Sequence, residues 1–361
     1  MRVLIAPDKF AGTLTAVQAA EAIAQGWRRR APDDELDLCP MADGGPGFVD
    51  VIHSALGGEL QALTVPGPGH TSVPAAIARS GQSAYIESAQ ACGLHLLGDT
   101  DPEQATTYGV GAMIGAAIKA GARRVVVGLG GSGTNDGGAG LLAALGATSD
   151  VELTGGAAGL AGITHLDLAP ARRTVEGIEL VVASDVDNPL TGLFGATKTF
   201  GPQKGIAEER LPAVDGLLEE FAAVAGRRTA LDKGAGAAGG LGFALLLLGA
   251  TRVPGIDVVA TAVDLRDRAE RADLVVTGEG AFDFSSRSGK VPYGVAAVAA
   301  ESLRPCVALA GQVLVGSREM RTMGVEAAYS IVDQVGRERA FAEPAAGLAE
   351  LAERVARNWS T

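Results

Sequence analysis

Acidic residues recur where short apolar runs end. Asp8–Lys9 follows Arg2–Ala6. Asp43 lies in Pro40–Met41–Ala42–Asp43–Gly44–Gly45, after Leu36–Cys39. Asp185 and Asp187 lie in Ser184–Asp185–Val186–Asp187–Asn188–Pro189, after Ile178–Ala183. Carboxylates so placed bind Mg²⁺ or take a proton from a hydroxyl. The plainer readings are a helix cap, or an Asx turn closed by Pro189. A second chemistry is written in glycine. Val125–Val127 reads as a buried strand, and Gly128–Gly140 then holds seven glycines with Ser132, Thr134, Asn135 and Asp136 among them. Such a backbone approaches a ligand closely, and the helix expected over Leu141–Leu145 would aim its free N–H groups at an anion. The small polar side chains could donate to phosphate oxygens or hold a metal ion. The plainer reading is a tight strand-to-helix turn. Gly234–Gly242 repeats the device, and Gly278–Glu279–Gly280 follows a further strand, Asp273–Thr277.

The elements that position these turns follow from periodicity. Thr13 or Thr15 caps a helix whose apolar residues Ala16, Ala20, Ile23, Ala24 and Trp27 recur at helical spacing. From Glu59 to Glu87 strand-like runs alternate with Pro/Gly turns and no helix, which reads as an antiparallel insertion with a domain boundary near residue 60. A long helix runs through Val224, and an amphipathic helix, Pro344–Asn358, closes the chain.

The 361 residues are 47% hydrophobic, enough for two domains or one large one. A net charge of −12 argues against nucleic acid or an anionic membrane as partner. Cys39, Cys92 and Cys306 are far apart and form no CxxC pair, which suits a reducing compartment. With no signal segment and no long apolar run, a soluble cytoplasmic protein is expected. Six lysines stand against 24 arginines, and Lys9, Lys198, Lys204, Lys233 and Lys290 all sit in or beside glycine- or aspartate-rich turns. Compact ammonium charges kept there suit an anionic substrate.

Several motifs fall short. Gly128, Gly130 and Gly133 fit the dinucleotide spacing, which alone is weak, and the helix that should open at once is delayed. Gly289–Lys290 ends like a Walker A loop, but Phe284 stands where glycine is needed and Val291 where Ser/Thr is. There is no GxSxG elbow, and His53, His70, His95 and His165 show no metal spacing. A nicotinamide-dependent oxidoreductase using Gly128, Gly130 and Gly133 stays open as an alternative, as does a non-catalytic ATP or metabolite sensor.

Taken together the turns resemble the glycerate kinase family of glyoxylate and glucarate utilisation. The matching pieces run in the family's order from Ala6–Pro7–Asp8 through Gly130–Gly140, Asp185–Leu190, Phe200–Gly205 and Gly234–Gly240 to Thr277–Gly280 and Gly289–Lys290. Departures exist. Lys9 stands two places from the family's lysine, Pro46 replaces a glutamate, and Ala281 and Ser285 replace an arginine and a glutamine. The resemblance implies ATP- and Mg²⁺-dependent phosphorylation of D-glycerate or a related small hydroxy acid. It implies two different α/β domains, one with a Rossmann- or flavodoxin-like parallel sheet and one an inserted mixed-sheet domain, with the active site in a cleft between them. With the antiparallel shift, it places the first domain over residues 1–60 and 265–361 and the insertion over 61–264. On this reading Gly130, Gly131, Ser132, Thr134 and Asn135, with Gly236, Gly239 and Gly240, hold the ATP phosphates. One or two of Asp8, Asp43 and Asp136 hold Mg²⁺. Asp185 or Asp187 accepts the hydroxyl proton. Lys204, Lys290 and Lys9, with Glu279 nearby, meet the carboxylate or the moving phosphoryl group.

Overall fold

The computed structural model describes residues 1–10, 12–283 and 290–360. Its strands in chain order are β1 (Arg2–Pro7), β2 (Glu35–Leu38), β3 (Glu59–Pro66), β4 (Ser72–Ser80), β5 (Ser83–Glu87), β6 (Arg124–Gly128), β7 (Thr148–Ser149), β8 (Leu166–Asp167), β9 (Glu179–Ala183), β10 (Thr251–Val253), β11 (Leu274–Phe282), β12 (Cys306–Val313) and β13 (Ala327–Ser330). The chain divides into two compact units. One comprises Met1–Asp43, Asp50–Leu56 and Pro254–Thr361; the other comprises Gly44–Val49 and Gly57–Val253. The second seam therefore falls before Pro254 rather than after residue 264, because helix Gly255–Ala262 packs with helices Leu265–Arg271 and Val291–Glu301 of the first unit.

The first unit is built on a five-stranded sheet in the order β13-β12-β11-β1-β2, parallel throughout. Val3–Ala6 and Leu274–Val276 are buried, as expected of parallel strands covered on both faces. Helix Ala16–Arg30 begins with a capping box, in which Thr15 Oγ1 accepts from the Gln18 amide and Gln18 Oε1 accepts from the Thr15 amide. Its buried stripe of Ile23 and Trp27 shares a core with Leu348, Leu351 and Val355 of the closing helix, Pro344–Trp359. β11 runs further than its sequence suggests. Gly278 and Glu279 are not a turn after Thr277 but lie inside the strand, paired with Leu309 and Ala310 of β12. A Cβ at Gly278 would lie 2.2 Å from the Leu309 carbonyl oxygen, so glycine there serves close strand approach.

The second unit carries a six-stranded sheet, β10-β9-β6-β5-β4-β3. β10, β9, β6 and β5 are parallel, while β4 and β3 continue the sheet antiparallel. The antiparallel stretch is the one expected between Glu59 and Glu87. The helices behind the two glycine loops are short, Ala139–Ala144 and Leu241–Leu247. No helix among the described residues is long and apolar enough to cross a membrane.

Candidate active site

In the second unit the glycine loop after β6 closes on a buried lysine. Lys204 lies on the short turn Pro202–Lys204 and is 4% exposed. Its Nζ donates to Ser132 Oγ at 3.1 Å and to the Thr134 carbonyl at 2.6 Å. Burial pulls its ammonium down to about 8, against the pull of Cys92 and Asp136 in the other direction. A cavity of about 300 Å³ opens here, with Gly130, Gly131, Ser132, Lys204, Val186 and Ala238 among its walls. Thus Gly130, Gly131, Ser132 and Lys204, chosen from sequence, share one hollow with a cation at its wall. Such an arrangement neutralises a phosphate or carboxylate in a low-dielectric site.

Other loop residues do different work. The Asp136 carboxylate is fully buried. Its Oδ2 accepts from the Thr107 amide at 2.8 Å, the Thr107 hydroxyl at 2.8 Å and the Gly140 amide at 3.2 Å; its Oδ1 accepts from the Gly138 amide at 2.9 Å. The metal-ligand role expected of Asp136 does not fit, since its lone pairs face protein donors and no solvent reaches it. It is itself the anion at this helix N-terminus, and the free amides expected to point at a ligand are already engaged. Thr134 and Asn135 also turn inward. Both side chains are fully buried, and Asn135 Nδ2 donates to Thr197 Oγ1 at 2.9 Å; only the Thr134 carbonyl faces Lys204.

The second glycine loop packs on the first. The Gly137 amide donates to the Gly239 carbonyl at 3.0 Å, and a Cβ on Gly239 would sit 2.0 Å from the Thr134 carbonyl oxygen. Gly236 donates its amide to Asn188 O at 2.9 Å, and Gly240 is filled by Gly137. The Gly236 amide is therefore engaged within the chain, and Gly239 and Gly240 are glycines because the two loops approach closely. The same holds for the dinucleotide reading. A Cβ on Gly128 or Gly130 would meet the backbone of Gly44 or Gly45 at 2.3 Å, so that side of the loop is occupied by this chain.

The two carboxylates after β9 diverge. Asp185 is half-buried and precedes Val186, which lines the Lys204 cavity. Asp187 is exposed and paired with Lys233 at 3.0 Å and Arg252 at 2.7 Å. The Lys233 hydrogen bond leads in holding its carboxyl below the usual range. A carboxylate so stabilised is a poor proton acceptor.

In the first unit Asp8 and Asp43 flank one ammonium. Lys9 Nζ stands 3.6 Å from Asp8 Oδ1 and 3.4 Å from Asp43 Oδ1. Asp8 is 6% exposed. Burial pushes its carboxyl up to about 6, with Lys9 opposing. Lys290, at the cap of helix Val291–Glu301, lies 3.9 Å from both Glu279 and Asp283. Ser285 and Gly289 lie outside the described residues.

Three supporting residues escaped the sequence reading. Thr107 anchors Asp136. Arg252 pairs with Asp187. Glu87, buried at the end of β5, accepts from the Gly47 amide at 2.9 Å and pins the turn after Asp43. A lone carboxylate closing an apolar strand was the available signal for Glu87; the other two act across long sequence separations. Among the described residues no group of three or more His, Cys, Asp or Glu side chains is gathered as a metal site.

A glycerate kinase of Bacillus subtilis is 41% identical over 99% of this chain and 96% of its own length. The glycerate 2-kinase of Escherichia coli is 38% identical over 93% of this chain and 92% of its own. The crystal structure of a protein assigned as glycerate kinase 2 from Salmonella typhimurium LT2 superposes with a TM-score of 0.84, at 36% identity, over 99% of this chain and 98% of that one. An uncharacterised Mycobacterium tuberculosis protein is 43% identical over 99% of this chain and 91% of its own length. Residues 3–360 match the glycerate kinase family, and the chain is a kinase belonging to that family.

Proposed function

We propose that this kinase transfers the γ-phosphoryl group of ATP to a hydroxyl of D-glycerate, giving phosphoglycerate. The observation that carries the reading is the buried Lys204 ammonium, held against Ser132 and the Thr134 carbonyl at the wall of a cavity rimmed by Gly130 and Gly131. A desolvated cation beside the exposed Gly131 of the loop suits an anion that gains charge during reaction. Phosphoryl transfer demands positioning and charge neutralisation more than covalent catalysis.

The roles follow from chemistry. Lys204, Ser132 and the amide of Gly131 take phosphate or carboxylate oxygens; the Gly130 amide already donates to the Gly44 carbonyl at 3.2 Å. Asp185 accepts the proton from the attacking hydroxyl. In the first unit, Asp8 and Asp43 are two hard oxygen donors that already face one cationic position, occupied by Lys9. That donor set fits Mg²⁺, which uses one or two carboxylates and completes its shell with water and phosphate. Bound there, Mg²⁺ would supply charge to the polyphosphate. Lys9 balances the pair of carboxylates, and Lys290 adds a cation beside Glu279.

The test is ADP release from ATP with D-glycerate, L-glycerate and related hydroxy acids, with phosphorus NMR of the product. Turnover with D-glycerate and a phosphoglycerate signal is the expected result. ATP binding without ADP formation on any hydroxy acid would overturn the proposal.

A further inference from the structure

The first unit contains a second hollow that none of the roles above uses. It holds about 250 Å³ and lies against the carboxyl-terminal ends of β11 and β12 and the residues that follow β13, with Phe10, Ala281, Gln312, Val332, Arg337 and Phe341 among its walls. We infer that this hollow receives the purine ring of the nucleotide, an inference that rests on the ATP-dependent reading above.

Its position is the first argument. In the order β2-β1-β11-β12-β13 the chain first builds outward to β2 and then crosses back over β1 to β11. Open parallel sheets take their ligands outside the carboxyl ends of the strands near such a reversal. Phe10 stands two residues beyond Asp8, and Gly280 adjoins Glu279, so the inner wall grows from the same strand ends as the Asp8–Lys9 and Glu279–Lys290 groups.

The lining is the second. Phe10 is 2% exposed and forms part of an apolar wall with Ala281 and Val332. Phe341, at 55% exposure, is one of the few large apolar side chains this unit leaves in solvent. An exposed aromatic at the rim of an apolar hollow marks a ligand surface more than a packing defect. Among the described residues only two long polar side chains, Gln312 and Arg337, join the lining, the pattern of a small-molecule site. Neither makes a hydrogen bond or ion pair with another described residue; Arg337 only lays its guanidinium 5.7 Å from the centre of the Phe341 ring. Gln312 pairs with Ala281 across the sheet, which fixes its backbone.

The third is chemical fit. A carboxamide presents a donor and an acceptor side by side, matching the adjacent amino group and ring nitrogen of adenine. A guanidinium plane stacks on aromatic faces. Among the described residues no carboxylate lines the hollow, which disfavours a cation.

The experiment uses the full chain and three variants, Gln312→Leu, Ala281→Trp and Arg337→Ala, each checked by circular dichroism and thermal melting. Adenosine binding is followed by saturation-transfer NMR, and kinetics are measured with ATP and ITP, whose base lacks the amino group. Ala281→Trp should abolish the adenosine signal and raise the ATP KM at least tenfold, with kcat and the glycerate KM within twofold. Gln312→Leu should erase the preference for ATP over ITP. Arg337→Ala, on the exposed rim, should raise the ATP KM severalfold without affecting folding. Adenosine binding and an ATP KM unchanged in all three variants would overturn the inference while leaving the kinase reading intact. Conversely, adenosine bound by the wild type and lost in Ala281→Trp would sustain the inference even if no hydroxy acid were phosphorylated, in which case the function proposal alone fails.

Discussion

Lys204 offers the sharpest test, because its environment ties stability and activity to one proton. Its ammonium is depressed from 10.5 to about 8 by burial. For a base depressed on folding, the stability contribution is present above the unfolded value and lost as pH falls through the folded one. Stability should therefore rise with pH between about 8 and 10.5, by about 3 kcal/mol from this group at about 1.4 kcal/mol per pH unit. Activity should move oppositely. If the ammonium neutralises the anionic substrate, kcat/KM falls as pH rises through about 8, since this quantity reports the free enzyme's titrating groups. Lys204→Arg keeps the charge to far higher pH and should remove that alkaline limb. Lys204→Met removes the charge and should lower kcat/KM by at least about 100-fold. Its stability should change little, because relief of the buried charge offsets the roughly 1–3 kcal/mol lost when Ser132 Oγ and the Thr134 carbonyl are left without a donor. The assay is coupled ADP release across pH 6–10 with urea unfolding in the same buffers. An alkaline limb near 8 that persists unchanged in Lys204→Arg would refute the assignment.

Further outcomes follow from the same geometry. Asp185→Asn should cut kcat by more than about 100-fold; a loss within about tenfold, roughly 1.4 kcal/mol of barrier, removes Asp185 from the role of base. Asp187→Asn should stay within about tenfold, because that carboxylate is exposed and held by Lys233 and Arg252. Asp136→Ala strips four donors of their buried acceptor and should destabilise the fold by about 3–5 kcal/mol in urea unfolding; a change under about 1 kcal/mol would contradict the anchoring role. Asp8 is raised on folding from 3.8 to about 6, so its contribution to stability is complete below the lower value and lost as pH rises through the upper. Stability should fall by about 3 kcal/mol over that window, and Asp8→Asn should flatten the fall when melting is followed against pH.

Much of the framework was legible because parallel strands announce themselves. Val125–Val127 and Leu180–Ala183 are unbroken apolar runs, and the strands end at or just after them, at Gly128 and Ala183. The site was legible in composition more than in role. Glycine in Gly128–Gly140 and Gly234–Gly240 signals close backbone approach, but not whether the neighbour is a phosphate or another loop of the same chain. Here Gly239 meets Thr134, and Gly130 meets Gly45. The fate of Asp136 depended on Thr107, 29 residues earlier, and that of Asp187 on Arg252. Glu279 was misread as a turn residue because glycines flank it, whereas pairing with β12 carries the strand past it. Gln312 and Arg337 belong to an ordinary strand and helix and carry no motif at all.

The internal carboxylate that ties down the loop after β6 has a thermodynamic consequence. Because Asp136 holds the Gly138 and Gly140 amides without help from any ligand, the segment is set before substrate arrives. Binding then need not freeze a disordered stretch, so association escapes that entropic toll. These two amide protons should exchange slowly with deuterated solvent in the apo enzyme, and saturating nucleotide should slow them little further.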